Sequence, residues 1–473
     1  MRKFFKSEHI FRCFAAIIAI FMLFTLSINC VYALEHLQNE SSESTAENAE
    51  PVNPTRKEGE KPILGASETG VLVDSASGRI LFEDGGDKKM YPASTTKVMT
   101  ALIAIEAIEK GEADFNNSVT ITAEMLDGLA IDGSSIALKE GEIMSLENLL
   151  KGLMIASGND AAQAIAIHIA GSIPAFVDKM NARAAELGAT NTHFVNPHGL
   201  HDEDHYTTAA DMAKFACAAM KLDKFRNIVD IAHVKIPPTN LTEEERYYIN
   251  TNGLLSTMRY TDYFFKGTIG IKTGYTSDSG NCLVSAAARD GVELIGVIFG
   301  AKGINDSYGD SREMLQWGFE EFTAVTALAK GDMPCEIKVK QGRGTDYLTL
   351  AVMDTVKVVM PKDSSPDELE IRPNTPDAVY APIFEGDEIG TVSVLYEGEE
   401  IGFGRLAATK EIKRSFFWPV MAFGEWLWSF TLVRVFVYVC GGVIVAFIAL
   451  FFMALYRSIK LSKKRRSARR NRR

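Results

Sequence analysis

Residues 91–106, YPASTTKVMTALIAIE, place Ser94 three positions before Lys97 at the start of a predicted helix. From Val98 onward apolar residues recur at helical spacing, and the run stops at Gly111. Residues three apart on a helix share one face, so the lysine amine can reach the serine hydroxyl. The pair alone is weak evidence for catalysis, because serine is a common helix N-cap and lysine is a common surface residue.

Two further short motifs follow in order along the chain. Ser157-Gly158-Asn159 lies at the turn between the helical runs LENLLKGLMIA (146–156) and DAAQAIAIHIAG (160–171). Lys272-Thr273-Gly274 lies on the strand-like run GTIGIKTGY (267–275). A serine and lysine three apart, a central serine and asparagine, and K-T-G, in that order, form the signature set of serine β-lactamases and penicillin-binding proteins.

The match extends beyond these motifs into THFVNPHGLHDEDHYTTAADMA (192–213) and GIKTGYTSDSGNCLVSAAARDG (270–291). The chain resembles the low-molecular-mass penicillin-binding proteins of the D-alanyl-D-alanine carboxypeptidase family over most of residues 64–410. This resemblance implies an α+β catalytic domain of the β-lactamase/transpeptidase type, with a serine-acylating site between an antiparallel sheet and a helical region. The element order agrees: a hairpin (70–84), helices, three strand-like runs and a closing helix (311–322) indicate a sheet covered by helices.

The resemblance implies a catalytic role for four residues. Ser94 is expected to be the nucleophile and Lys97 its general base, which requires that desolvation or a neighbouring positive charge lower the lysine pKa. Lys272 could supply that charge, and the helix N-terminus adds partial positive charge. Ser157 would relay a proton to the leaving amine, and Asn159 would orient Lys97 and hold the substrate amide.

The third motif, Lys272-Thr273-Gly274, is expected to bind the substrate. By the same resemblance, Lys272 and Thr273 would hold the terminal carboxylate beside Gly274. The backbone N–H groups of Ser94 and Tyr275 would be the oxyanion donors. No metal and no cofactor are needed. One local departure from the family is Ile269, which stands where an aspartate more often precedes the glycine.

The expected function is removal of the terminal D-alanine from peptidoglycan stem pentapeptides through an acyl-enzyme, with β-lactams as inhibitors. A D,D-endopeptidase or transpeptidase is the alternative within the same chemistry, because the acyl acceptor and not the motif set decides the outcome. A β-lactamase is disfavoured because no deacylating glutamate is recognisable after the second motif. A penicillin-acylated sensor that signals through the membrane is the alternative from another class.

Four histidines lie close together in the sequence and raise a competing hypothesis of a zinc site: His193, His198, His201 and His205. Their spacing matches neither H-E-x-x-H nor H-x-x-E-H. We therefore expect a solvated loop that borders the active-site cleft. Outside the two apolar ends of the chain the cysteines are Cys217, Cys282 and Cys335, an odd set that is no disulfide framework.

Both ends of the chain indicate export and anchoring. The first 33 residues have a basic start, an apolar core and a small-residue exit, so they predict a secretory signal, with an uncleaved anchor as the alternative. The apolar run 435–456 is long enough to cross a bilayer, and ten basic residues follow it. A nucleic-acid-binding tail is the rival interpretation, but basic residues directly behind a span are typical of the cytoplasmic side.

The rest of the chain is acidic. The net charge of −11 includes +10 from the tail and +3 from the first 33 residues, which leaves about −24 on residues 34–456. This balance argues against an exported nucleic-acid binder.

The sequence predicts seven segments and a cell-membrane location, with the catalytic domain outside. They are a signal (1–33), a disordered spacer (34–61), the catalytic domain (62–326), a small β-rich domain (330–410), an amphipathic aromatic segment (414–430), a transmembrane helix (435–456) and a basic cytoplasmic tail (457–473).

Overall fold

The computed structural model describes residues 59–130, 133–416, 423, 426 and 428–470. These residues form two compact units, one that runs to Val325 and takes in Val358–Glu368, and one made of Thr326–Lys357 and the chain from Leu369 onward. The predicted signal and nearly all of the predicted spacer lie outside the described residues, as does most of the predicted aromatic segment.

Strands and helices follow one another irregularly along the chain. The strands are β1 (Thr69–Asp74), β2 (Ile80–Asp84), β3 (Ser118–Thr120), β4 (Ile143–Ser145), β5 (His233–Ile236), β6 (Arg246–Ile249), β7 (Thr268–Thr276), β8 (Gly280–Arg289), β9 (Val292–Ala301), β10 (Phe322–Leu328), β11 (Cys335–Lys340), β12 (Tyr347–Val352), β13 (Val356–Pro361), β14 (Glu370–Asn374), β15 (Ala378–Tyr380), β16 (Glu388–Tyr396) and β17 (Glu399–Ala408). The helices are α1 (Lys97–Glu109), α2 (Leu146–Ile155), α3 (Asn159–Ala170), α4 (Ile173–Glu186), α5 (Ala209–Met220), α6 (Asp223–Val229), α7 (Ile304–Glu321) and α8 (Thr431–Arg470).

A five-stranded antiparallel sheet in the order β2-β1-β9-β8-β7 organises the first unit. Successive residues of a strand point to opposite faces, and both faces of this sheet are covered. Val71 and Val73 pack into the cluster formed with α1–α6, whereas Leu72 packs against the residues of α7. The predicted α+β fold, with a hairpin, three later strands and covering helices, is confirmed.

Helix α1 is buried on nearly every side, and its sequence is apolar all round rather than amphipathic. Helices α2–α6 surround it within one hydrophobic cluster. Lys97 is the first residue of this helix and is fully buried. The packing of α1 therefore carries a lysine amine into the interior.

The start of α7 differs from the sequence prediction, which began this helix at Ser311. The helix starts at Ile304. Its first two turns contain polar side chains that are buried, because they form hydrogen bonds with other parts of the chain. The carboxylate of Asp310 accepts hydrogen bonds from the backbone N–H groups of Gly65 and Ser67, at 2.9 and 3.0 Å. These polar residues conceal the helical pattern.

The second unit contains a six-stranded sheet in the order β14-β16-β17-β12-β11-β15, which confirms the predicted small all-β domain. Its core side chains are fully buried and include Leu348, Leu350, Val392, Val394 and Leu406. Helix α8 contains the stretch Arg434–Lys460, which is long and apolar enough to cross a membrane.

Candidate active site

Ser94 lies in a single 3-10 turn, Ala93–Thr96, that leads directly into α1. It does not cap the helix, because Thr96 occupies the N-cap position and no side chain there makes a capping hydrogen bond. Its hydroxyl oxygen lies 2.8 Å from the Lys97 amine. Ser94 is therefore not a helix cap, and the contact of its side chain described here is the one with Lys97.

The Lys97 amine has three oxygen partners at 2.8 Å: Ser94 Oγ, Asn159 Oδ1 and the backbone carbonyl of His198. Burial, and then the positive charge of Lys272, hold the pKa of Lys97 well below its usual range, while Asp160 opposes this. A neutral amine has two N–H donors and one lone pair. The amide and the carbonyl can take the two donors, so the lone pair is left to accept the Ser94 O–H.

Lys272 is also fully buried, on edge strand β7. Its amine donates to the carbonyl of Thr273 at 2.9 Å. Burial, and then the charge of Arg259, lower its pKa to about 7. Lys272 therefore acts on Lys97 through its charge while its own donors are turned toward the strand.

Ser157 and Asn159 stand at the junction of α2 and α3. Ser157 is buried and has a φ of 65°, in the left-handed region that is costly for a residue with a Cβ. Asn159 begins α3, and its backbone N–H donates to the carbonyl of Ser134 at 2.8 Å. The side-chain amide of Asn159 thus contacts Lys97, and its backbone N–H bonds the segment 133–138.

Asp160 was not singled out from the sequence, where an acidic residue in the first turn of a helix is unremarkable. Its buried carboxylate accepts from the backbone N–H groups of Ile136 and Leu138, at 3.0 and 3.1 Å, and from the Ser135 hydroxyl. This residue fixes the segment 133–138, which includes one wall of the cleft beside Ser94.

The third motif lies against the serine because a glycine permits it. A Cβ added to Gly274 would lie 3.0 Å from the Ser94 nitrogen and 3.1 Å from the Pro92 carbonyl oxygen, closer than such contacts normally come. The backbone of β7 therefore packs directly on the 3-10 turn. Tyr275 follows with its side chain two-thirds exposed.

A second hydroxyl group, that of Thr251, lies next to the third motif. No sequence pattern indicated this contact. Thr273 Oγ1 donates to Thr251 Oγ1 at 2.6 Å. Both residues line the cleft. The carbonyl of Thr251 in turn accepts from the Tyr308 hydroxyl at 2.8 Å.

The four histidines do not form a uniformly solvated loop, and that part of the prediction is wrong. His193 and His201 are exposed, but His198 and His205 are buried. The backbone N–H of Val195 donates to His205 Nδ1 at 3.0 Å, so Nδ1 carries no proton, and burial lowers the pKa of this ring to about 3. Because these two side chains fold inward, the segment supports the site instead of merely bordering it.

The cleft has a volume of about 570 Å³. Six of the eight predicted site residues line it, namely Ser94, Ser157, Asn159, Thr273, Gly274 and Tyr275. The two predicted lysines lie behind this surface, because both are fully buried. The structure therefore brings all the predicted residues to one place, with the lysines as an inner layer.

Comparison with known proteins gives a consistent family. A family model described as D-alanyl-D-alanine carboxypeptidase matches residues 56–303, and a model of the penicillin-binding protein 5 C-terminal domain matches residues 322–414. The chain is 30% identical to the D-alanyl-D-alanine carboxypeptidase DacF of Bacillus subtilis over 76% of this chain and 90% of that protein. It is 31% identical to DacA of Haemophilus influenzae over 73% of this chain and 85% of that protein. The crystal structure of penicillin-binding protein 5 from Haemophilus influenzae superposes with a TM-score of 0.60, at 30% identity, and covers 75% of this chain and all of that one.

Gly199 offers a test of how tightly the 3-10 turn is held. It has a φ of 88°, and an added Cβ would lie 1.8 Å from the Ala93 carbonyl oxygen. We expect Gly199→Ala to displace the turn and to lower the rate of acylation by benzylpenicillin at least about a hundredfold, since a misplacement of about 1 Å costs that much. The measurement is a stopped-flow or gel-based acylation rate.

Gly188→Ala is the matched control. Gly188 has a φ of 70°, but nothing lies within 4 Å of its added Cβ. This variant therefore has the backbone strain of an alanine at positive φ without a steric clash. It should lose a little thermal stability and keep its acylation rate. Equal acylation rates in the two variants would contradict the proposed clamp on the turn.

Proposed function

The chain belongs to the D-alanyl-D-alanine carboxypeptidase family and is a penicillin-binding serine hydrolase of that class, and we propose that it removes the terminal D-alanine of peptidoglycan stem pentapeptides through an acyl-enzyme on Ser94. The observation that carries the proposal is the buried Lys97 amine at 2.8 Å from the Ser94 hydroxyl. A serine hydroxyl becomes a useful nucleophile only when an adjacent base takes its proton.

In the proposed first step, Ser94 Oγ attacks the carbonyl carbon between the two terminal D-alanines while its proton passes to the Lys97 amine. The asparagine amide and the His198 carbonyl keep the lone pair of that amine directed at the serine. Because the three partners are fixed before substrate binds, little reorganisation is needed during the reaction.

The tetrahedral intermediate would place its oxyanion between the backbone N–H groups of Ser94 and Tyr275. The close packing of Gly274 on the Ser94 nitrogen supports this assignment, since it brings the two backbones together. Ser157 lines the same cleft and would carry a proton to the leaving amine. D-Alanine then leaves, and water hydrolyses the ester on Ser94.

The substrate is proposed to be held from both sides of the cleft. Asn159 would bond the substrate amide in addition to Lys97. Thr273, which donates to Thr251 Oγ1 in the free site, would turn its hydroxyl to the terminal carboxylate when the substrate binds, with the charge of Lys272 behind it. A free carboxylate is present only at a chain end, which suits a carboxypeptidase.

We further propose that the enzyme is anchored by a single C-terminal span, with the catalytic domain outside the cell membrane. The apolar stretch Arg434–Lys460 and the ten basic residues from Arg457 to the C-terminus support this orientation. The proposed segments are those of the sequence prediction, with residues 1–33 as an export signal and 457–473 as a cytoplasmic tail.

Replacement of the nucleophile tests the function directly. Ser94→Ala should abolish both D-alanine release from a stem pentapeptide and the covalent adduct with benzylpenicillin, because Ser94 is the hydroxyl of the described cleft that hydrogen-bonds a buried lysine amine. The loss should come without a change in melting temperature, since Ser94 makes no capping bond. Amino-acid analysis and intact-protein mass spectrometry measure the two activities.

Ser172→Ala is the control for a serine that does cap a helix. The Ser172 hydroxyl accepts from the Ala175 backbone N–H at the start of α4. Its loss should cost about 1 kcal/mol of stability and leave D-alanine release intact. Full labelling of the Ser94→Ala variant by penicillin would disprove the assignment of the nucleophile.

The base can be tested by pH and by substitution. The rate of acylation should fall when the pH drops through the lowered pKa of Lys97, since the protonated amine cannot accept the serine proton. It should also decline as the pH rises above about 7, where Lys272 loses the charge that stands behind Thr273. Lys97→Arg should stop acylation because arginine stays charged, whereas Lys272→Arg should be milder because it keeps a cation. A rate that climbs with pH up to about 10.4 would indicate an unperturbed lysine instead.

The orientation in the membrane predicts a protection pattern. Protease added to intact spheroplasts should digest the catalytic domain and leave an epitope placed after Arg473 protected, because the basic tail is retained inside. Detergent should expose the same epitope to the protease. Digestion of the epitope in intact spheroplasts would contradict the orientation.

A further inference from the structure

The described residues that line the cleft include no aspartate, glutamate, lysine or arginine. The substrate of the proposed reaction nevertheless carries a negative terminal carboxylate. The Lys97 amine donates to Asn159 Oδ1 and to the His198 carbonyl, and the Lys272 amine donates to the Thr273 carbonyl. Both lysines are fully buried, so a direct ionic partner for the carboxylate has to come from outside the lining.

The threonine pair marks the end of the cleft where the carboxylate would lie. Thr273 donates its hydroxyl proton to Thr251 at 2.6 Å, so this contact leaves the Thr251 proton unused, and both residues line the cleft. Neutral hydroxyl donors bond an anion but bring no charge to it. Charge-assisted bonds are roughly twice as strong as neutral ones.

A loop that packs next to Thr251 carries a positively charged residue, Arg259. Tyr260 packs against Gly253, where an added Cβ would lie 2.8 Å from the tyrosine ring. The ring of Tyr260 lies 5.8 Å from that of Tyr308, whose hydroxyl donates to the Thr251 carbonyl at 2.8 Å. Tyr263 adds a second ring contact to Tyr308 at 5.2 Å. The loop 256–265 is thus held beside the threonine pair.

Arg259 precedes Tyr260 in this loop. Its side chain is exposed, and within the described part of the chain it makes no hydrogen bond or ion pair, with only the Tyr260 ring 5.9 Å from its guanidinium carbon. Its charge acts on the buried groups nearby: it contributes to the lowered pKa of Lys272 and opposes the raised pKa of Tyr308. Because Tyr260 packs on Gly253 and Tyr308, the loop holds Arg259 close in the fold to Thr251, and its guanidinium has no other bond among the described residues.

Neighbouring arginines are engaged elsewhere. Arg312 donates to the Asp262 carbonyl at 2.8 Å, which also braces the loop. Arg289 donates to the Lys266 carbonyl and to Gln316. Arg259 is left as the arginine of this region that can turn to an incoming anion.

We propose that Arg259 is a specificity-determining residue that supplies the positive charge which recognises the terminal carboxylate of the substrate at the Thr251–Thr273 end of the cleft. This inference rests on the proposed carboxypeptidase function. A guanidinium matches the planar geometry of a carboxylate and can bond it through two N–H groups. The buried Lys272 then acts on the charge of Lys97 and the field of the site, while the arginine makes the ionic contact.

The test compares acylation by benzylpenicillin, which has a free carboxylate, with acylation by its methyl ester, which has none. The full-length protein in detergent is expected to prefer the acid. Arg259→Gln should lower the rate constant for the acid about tenfold, the scale of one charged hydrogen bond, and leave the rate for the ester unchanged. Arg259→Lys should keep part of the preference. An unchanged ester rate also shows that the variant is folded and can be acylated.

Two matched variants remove a positive charge nearby. Lys266→Gln, in the connection that leads into β7, should behave like the unmodified protein. Lys302→Gln tests the rival cation, because Lys302 is exposed and lies two residues before Ile304 of the cleft lining. Loss of the preference in Lys302→Gln, or a full preference in Arg259→Gln, would overturn the proposal. Failure of the unmodified protein to be acylated or to release D-alanine would instead overturn the proposed function.

Discussion

The buried amine of Lys97 is the constraint around which the catalytic unit is arranged. An uncompensated ammonium in a dry interior is very costly, so the group must lose its proton or satisfy its donors, and here the packing favours the neutral form. Its three partners come from three different parts of the chain: the 3-10 turn, the start of α3 and the loop at His198. A change in the position of any one of them would disturb the other two contacts.

The sequence allowed the predicted site residues to be chosen but showed little of what holds them. Ser94 and Lys97 can be paired because they are local, three residues apart on one helix face. The meeting of this pair with Asn159 and Lys272 depends on tertiary packing, and only the family resemblance indicated it. Local pattern also revealed the hairpin, from its alternation and its break at Ser77-Gly78, and three later strands, as short apolar runs.

What the sequence did not reveal has a common cause, namely buried polar side chains whose partners are distant. Asp160 looks like a residue that complements a helix dipole, yet it holds the segment 133–138 through backbone N–H groups. The first turns of α7 look like a polar loop because Asp310 is used to bind the chain before β1. His205 was grouped with three neighbours in a loop, but Thr96 Oγ1 lies 2.8 Å from its Nε2. In each case a hydrogen-bond partner that helps to bury the side chain lies more than about twenty residues away.

Two glycines show how the position of Ser94, the proposed nucleophile, is fixed from both sides. Gly274 lets β7 approach the Ser94 nitrogen, and Gly199 lets the loop at His198 approach the Ala93 carbonyl. Ala93 itself has a φ of 47°, which the surrounding contacts must maintain because it is unfavourable for a residue with a Cβ. The backbone that carries Ser94 is thus fixed by contacts that do not involve the substrate. The proposed chemistry thus depends on Ser94 and Lys97 in the 3-10 turn and α1, whereas the proposed carboxylate contact of Arg259 comes from a neighbouring exposed loop and can change separately.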